Sequence, residues 1–269
     1  MNAVLVTRVG LTPLQDMPLS QLVRAYAREA KYEFLKTLRA PAAAVPFLVL
    51  PTILYVFFGL IMGQASPEFG KTPSLIDYSF FGWCAFATMM PGIFGVGCGL
   101  ALERASGLLK LKRALPAPGG AYLFAKICMA VAFSTIAISA LTTLALITGK
   151  HTVDAGSLIA GALVMVTGAI PFSAIGLFVG AYCSGSAAPG IANLVFLPMM
   201  WLSGLFFPLP GFLQKWVVIW PAFHLDQIAL RVAGVERFIF IDAKIACAVL
   251  FAVTIFFGGV ALRRLARVG

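Results

Sequence analysis

The residues through which this chain could do chemistry are few and scattered. His151 and His224 are the two histidines. A zinc site needs three or four convergent N, S or O ligands, and nothing in the spacing brings these two together. The cysteines Cys84, Cys98, Cys128, Cys183 and Cys247 form no CxxC pair and fall in or beside apolar runs. They read as small packing residues rather than ligands or a disulfide framework. Ala65-Ser66-Pro67-Glu68-Phe69-Gly70-Lys71-Thr72 matches a permissive phosphate-loop pattern with Ala in place of the first Gly. A phosphate loop works by joining a buried strand to a helix N-terminus. This stretch instead follows an apolar segment and runs into Pro73, so it does not bind nucleotide.

The elements around these residues explain the scarcity. Hydrophobic residues make up 61% of the 269 positions and charged residues only 11%. Water cannot solvate that much apolar surface, and a soluble domain carries about 25% charged residues. A bilayer-crossing helix needs about 20 apolar residues. The expected fold is therefore all-α and integral to the membrane. Six transmembrane helices are expected over about 42–63, 78–102, 121–148, 158–181, 190–207 and 243–262. Residues 1–17 read as a flexible N-terminus without a cleavable signal. Residues 18–40 read as an amphipathic helix at the membrane interface, with a solvated helix as the alternative. The long stretch 208–242 is too apolar for a free loop and too interrupted for a span. It reads as short re-entrant helices, or as an aromatic belt around Trp201, Trp216 and Trp220.

The formal net charge is +10. The basic residues sit beside apolar runs, which points to orientation and anionic lipid contact and away from nucleic acid. Arg8, Arg24, Arg28, Lys31, Lys36, Arg39, Arg104, Lys110, Lys112, Arg113, Arg263, Arg264 and Arg267 fall on one side of the six-span plan. The other side holds only Lys71, Lys150, Lys215, Arg231 and Arg237. Both termini are therefore expected in the cytoplasm. Only Lys126 and Lys244 enter the spans, each near enough to an end to snorkel. Lack of Asp, Glu or His at depth argues against ion coupling.

Two constellations remain. In Glu103-Arg104-Ala105-Ser106-Gly107-Leu108-Leu109-Lys110-Leu111-Lys112-Arg113-Ala114-Leu115-Pro116, residues Leu108, Leu111 and Leu115 share one helical face. Such a helix can dock in a partner's groove, lie on lipid or act as a positive-inside anchor. The second constellation is Leu202-Ser203-Gly204-Leu205-Phe206-Phe207-Pro208, continuing through Trp216, Pro221, His224 and Arg231.

On these two blocks, the N-terminal helix and the six-span plan, the chain resembles the membrane permease of ABC-2 type ABC exporters over about residues 20–265. The resemblance implies that Glu103, Arg104, Gly107, Leu108, Leu111 and Leu115 couple to a separate ABC ATPase subunit. It implies outer re-entrant helices around Pro208, Trp216, Pro221, His224 and Arg231. Ser203, Gly204, Phe206 and Phe207 are candidates for the substrate path or dimer interface, with plain packing as the alternative. No cofactor is expected on this chain; ATP and Mg belong to the partner, and the chain itself is no enzyme. The other expected partners are a second, identical or similar permease and membrane lipids. The implied cargo is a lipophilic compound, lipid or drug; a polysaccharide or glycolipid is the alternative, as is a stand-alone channel or scaffold.

Overall fold

A computed structural model describes residues 18–62, 72, 74–114, 118 and 120–268. Residues 1–17, the phosphate-loop-like stretch over 65–71, Leu115 and Pro116 lie outside the described residues. The described chain is helical, with no strand among the described residues.

Helix α1 is Leu19–Leu38. Helix α2 is Pro41–Met62, α3 is Leu75–Ala105 and α4 is the short Leu108–Ala114. Helix α5 is Ala121–Thr148 and α6 is Ala155–Tyr182, with a hitch at Gly168. Helix α7 is Ala188–Leu202, α8 is the single turn Gly211–Gln214, α9 is Pro221–Ala233 and α10 is Ala243–Val268. Five of these, α2, α3, α5, α6 and α10, are long and apolar enough to cross a bilayer. The expected fifth span falls on α7, which has 15 residues and ends at Leu202 rather than near 207. At 1.5 Å per residue, α7 is about 22 Å long, short of the ~30 Å hydrocarbon core.

Local sequence sets the boundaries. Pro41 and Pro221 occupy first helical turns, where a missing N–H costs nothing. The Asp154 side chain accepts from the Ser157 backbone N–H and caps α6. Helices α5 and α9 stop at Gly149 (φ 62°) and Gly234 (φ 77°), whose left-handed backbone ends a helix without strain. Inside α2 and α3 the backbone widens into π-helical turns over Tyr55–Met62 and Pro91–Val96. Each lies at or just after a proline, Pro51 or Pro91, which cannot donate to the helical ladder.

Helix α3 is the centre of the bundle. Of its most apolar window 72% is buried, against 11% for α10, which leaves α10 at the periphery. Helix α3 packs on α2, α5, α6 and α9. Its crossing with α6 is glycine-lined. A Cβ added at Gly176 would collide with the Gly92 carbonyl oxygen, and one at Gly180 would lie 2.8 Å from the Gly97 carbonyl oxygen. The Gly176/Gly180 spacing in the sequence thus brings two backbones together, as small residues do between membrane helices. Gly176→Ala is expected to lose about 1–3 kcal/mol by overpacking, the usual range for an inserted methyl that meets backbone. Gly190→Ala, on α7 with nothing within 4 Å of the added Cβ, is expected to be neutral or mildly stabilising. Thermal unfolding of the two variants in detergent checks the contrast.

Candidate functional site

Where α1, α3, α4 and α5 meet, the structure gathers a charged cluster. Lys126, on the first turns of α5, is 1% exposed. Its Nζ lies 2.8 Å from Glu33 Oε1 on α1 and 3.2 Å from Glu103 Oε2 on α3. Lys36 donates at 2.7 Å to Glu33 and also bonds Glu103. The Tyr122 hydroxyl donates to Glu103, and its ring lies 4.7 Å from Lys112 Nζ and 5.0 Å from Lys126 Nζ. Lys112 on α4 pairs with Glu29 on α1. This corrects the expectation for Lys126. Rather than snorkelling past an apolar surface, it points into the protein and neutralises two carboxylates from distant helices.

The physics of burial explains the arrangement. A lone charge in a water-poor interior is prohibitively costly, so buried charges appear paired and hydrogen-bonded. The members of the cluster come from four elements: Glu29, Glu33 and Lys36 from α1, Glu103 from α3, Lys112 from α4, and Tyr122 and Lys126 from α5. Lys36 is half-exposed. Burial opposes its charge, but the Glu103 and Glu33 carboxylates outweigh that and hold its ammonium above the ordinary lysine value. A raised lysine pKa contributes stability below the unfolded value and loses it only as pH rises through the folded value. The Lys36 contribution is therefore constant across the neutral range.

The residues singled out for coupling divide by environment. Glu103 is buried in the cluster. Arg104 turns the other way, donating at 2.6 Å to the Gly180 carbonyl and at 3.4 Å to that of Cys183, among the last carbonyls of α6. A cation there also meets the negative end of the helix dipole. Gly107 (φ 75°) makes the left-handed corner between α3 and α4. Leu108 is half-buried and Leu111 is 61% exposed. The leucine that anchors α4 is Leu109, 8% exposed, which the i, i+3, i+7 reading passed over.

At the opposite end of α3 lies the second constellation. Ser203 Oγ donates to the Met199 carbonyl, and Gly204 (φ 69°) accepts from the Tyr78 hydroxyl. A Cβ at Gly82 would collide with the Leu205 carbonyl, so only glycine on α3 lets this turn seat. The turn buries Phe206 against Trp83, ring centroids 4.2 Å apart, and leaves Phe207 exposed. Pro208 and Trp216 are exposed. Pro221 opens α9, His224 is buried with Nε2 2.8 Å from the Val218 carbonyl, and exposed Arg231 donates at 3.0 Å to the Ile241 carbonyl. Gln227, not predicted, clamps the following corner through Phe238 O and Phe240 N–H.

Further acids were missed. Asp77, in the first turn of α3, is fully buried and accepts from the Thr152 backbone N–H, 3.1 Å from each carboxylate oxygen. Asp226 on α9 is 1% exposed, and its Oδ1 has no partner. The bundle is therefore richer in buried ionisable groups than the expectation of only Lys126 and Lys244 allowed. No cluster of three metal-ligating side chains occurs among the described residues.

An all-helical bundle with five helices long and apolar enough to cross a bilayer has the plan of a multi-pass membrane protein. Residues 27–224 match the family model described as ABC-2 type transporter, and the chain belongs to that family: it is a membrane transport permease of ABC-2 type. A similar protein is "Putative transport permease YvfS" of Bacillus subtilis (strain 168), 22% identical over 198 residues, which cover 72% of this chain and 80% of the relative.

Removing Lys126 leaves Lys36 alone to balance two carboxylates, Glu33 and Glu103. Lys126→Met is expected to cost about 3–5 kcal/mol, as for other broken buried pairs. Lys36→Met, at a half-exposed site, is expected to cost no more than about 1 kcal/mol. Thermal unfolding of both purified variants checks the ranking.

Proposed function

We propose that this permease is the transmembrane half of an ATP-driven exporter, moving a lipophilic compound, lipid or drug outward. Two copies, or this chain and a similar one, assemble with two separate ATPase subunits that hold ATP and Mg. The chain lies in the bacterial inner membrane with both termini in the cytoplasm. Helix α7 and the turn after it complete a sixth crossing, α1 lies along the inner interface, and α8 and α9 re-enter from the outer face.

In this reading α4 is the coupling helix. The observation that carries it is the exposed Leu111 on a short helix fixed from behind by buried Leu109 and by the Lys112–Glu29 pair. An apolar side chain held out from a rigid mount suits a groove on a partner. When ATP closes the two ATPases, α4 is pushed. The charged cluster passes that displacement to α1, α3 and α5 together, because separating any one of them would strand a buried charge. The bundle then switches its opening from inside to outside, a two-state element biased by ligand.

Leu111→Asp tests the assignment. The variant is expected to keep its gel-filtration profile and to lose co-purification of the ATPase that accompanies the wild-type chain by at least about tenfold, the effect of burying an unpaired charge in an interface. Undiminished co-purification contradicts the coupling role.

A further inference from the structure

We propose that the cavity between the end of α3, α4, the turn after α6 and the end of α10 holds the headgroup phosphate of an anionic phospholipid, with Arg104 and Lys110 as its counter-charges. The site stands without the coupling role given to Leu111.

The cavity holds about 300 Å³. At ~30 Å³ per water that is the room of about ten waters, enough for a phosphate with its ester groups rather than a bare ion. Arg104 and Lys110 line it, and no acid does among the described residues. Nothing within the chain balances these charges. At this end of the bundle the described acids Glu29, Glu33 and Glu103 are already held by Lys112, Lys36 and Lys126. Arg104, Lys110 and the nearby Arg264, which lies 5.5 Å from the Tyr182 ring, have no carboxylate partner among the described residues. A cleft lined by one sign of charge concentrates ions of the other sign.

Arg104 is fixed at the cavity's edge. Its Nη1 lies 2.6 Å from the Gly180 carbonyl oxygen and 3.4 Å from that of Cys183, itself part of the lining. Those carbonyls engage one nitrogen of a group with five N–H donors. Its other nitrogens make no hydrogen bond among the described residues. A planar fork with donors to spare matches phosphate oxygens.

The rest of the surroundings selects a lipid over a free anion. Ala101, Ala105, Leu109 and Leu265 make much of the lining apolar. Leu102, beside it on α3, is 64% exposed, and α10 turns Phe256 and Leu262 outward. Acyl chains cover such a rim while the headgroup reaches the cations. Inorganic phosphate would leave it bare.

The test uses the full chain, stripped of lipid in detergent and read by native mass spectrometry, with dioleoyl phosphatidylglycerol and dioleoyl phosphatidylcholine as probes. Wild-type protein is expected to bind its first phosphatidylglycerol at least about tenfold more tightly than phosphatidylcholine, the scale of two cations beside one net negative charge. Arg104 also holds the end of α6, so the variant is Lys110→Glu, at an exposed position. It is expected to keep its gel-filtration profile and to erase most of the preference, while Lys215→Glu at the other end of the bundle retains it. Equal affinities for wild type overturn the proposal. So does a Lys110→Glu protein that keeps the preference, or a Lys215→Glu protein that loses as much, which would mark a diffuse effect of net charge. Displacement of phosphatidylglycerol by equimolar inorganic phosphate would assign the cavity to a free anion and overturn it as well. Loss of the co-purifying ATPase from Lys110→Glu with phosphatidylglycerol affinity intact would give these cations to a partner's carboxylates instead.

Discussion

Everything at one end of this molecule depends on a single constraint: Lys126 is buried where no water can solvate it. The bundle tolerates that charge because Glu33 and Glu103 converge on it from helices distant in sequence. The dependence is mutual, since each carboxylate is equally costly alone. Helix α1 carries too many charges to enter a bilayer by itself, yet it docks firmly on α5 with Phe34 packed against Phe133 at 5.2 Å. The ion pairs thus convert a polar helix into part of the bundle. They also make α1, the end of α3, and the start of α5 one mechanical unit, with α4 fastened to it through Glu29 and Lys112.

Helix α3 joins that unit to the aromatic end. Glu103 and Trp83 lie on the same helix, 20 residues and about 30 Å apart. Two glycine seams govern how α3 meets its neighbours: Gly92 and Gly97 against α6, and Gly82 under the 203–207 turn. Backbone-to-backbone contact leaves no soft side chain to absorb displacement, and packed interfaces of this kind are bistable rather than elastic. The wide turn over Pro91–Val96 lies between the two ends. It is the place on α3 where the hydrogen-bond ladder is already altered and a change of helix direction costs least.

Much of this was legible in the sequence. Apolar run length located the five helices long enough to cross a bilayer, because that signal is local to each segment. The Glu103–Leu111 block and the Ser203–Phe207 block were visible as patterns. What remained hidden is pairing between distant residues. Lys126 looks like a snorkelling lysine because its position near a span end is all that local sequence reveals, while its partners stand 93 and 23 positions away. Asp77 lies just before the expected second span and Asp226 inside the 208–242 stretch, so neither counted as a charge within a span. Leu109 was passed over because helical spacing alone cannot say which of two adjacent apolar faces meets the protein. The short α7 shows the same limit: its apolar run continues to Phe207, but the glycine at 204 ends the helix before that.

The central claim is that α1 and α5 are held together by a buried ion pair rather than by apolar contact alone. A double-mutant cycle on Glu33→Gln and Lys126→Met, read by thermal unfolding of the purified chain, tests it most directly. Neutralising both partners removes the stranded charge, so the double variant should be more stable than the sum of the singles predicts, with a coupling of about 2–3 kcal/mol. Additive losses, within about 0.5 kcal/mol, would show that the two residues do not act as a pair and would contradict the account.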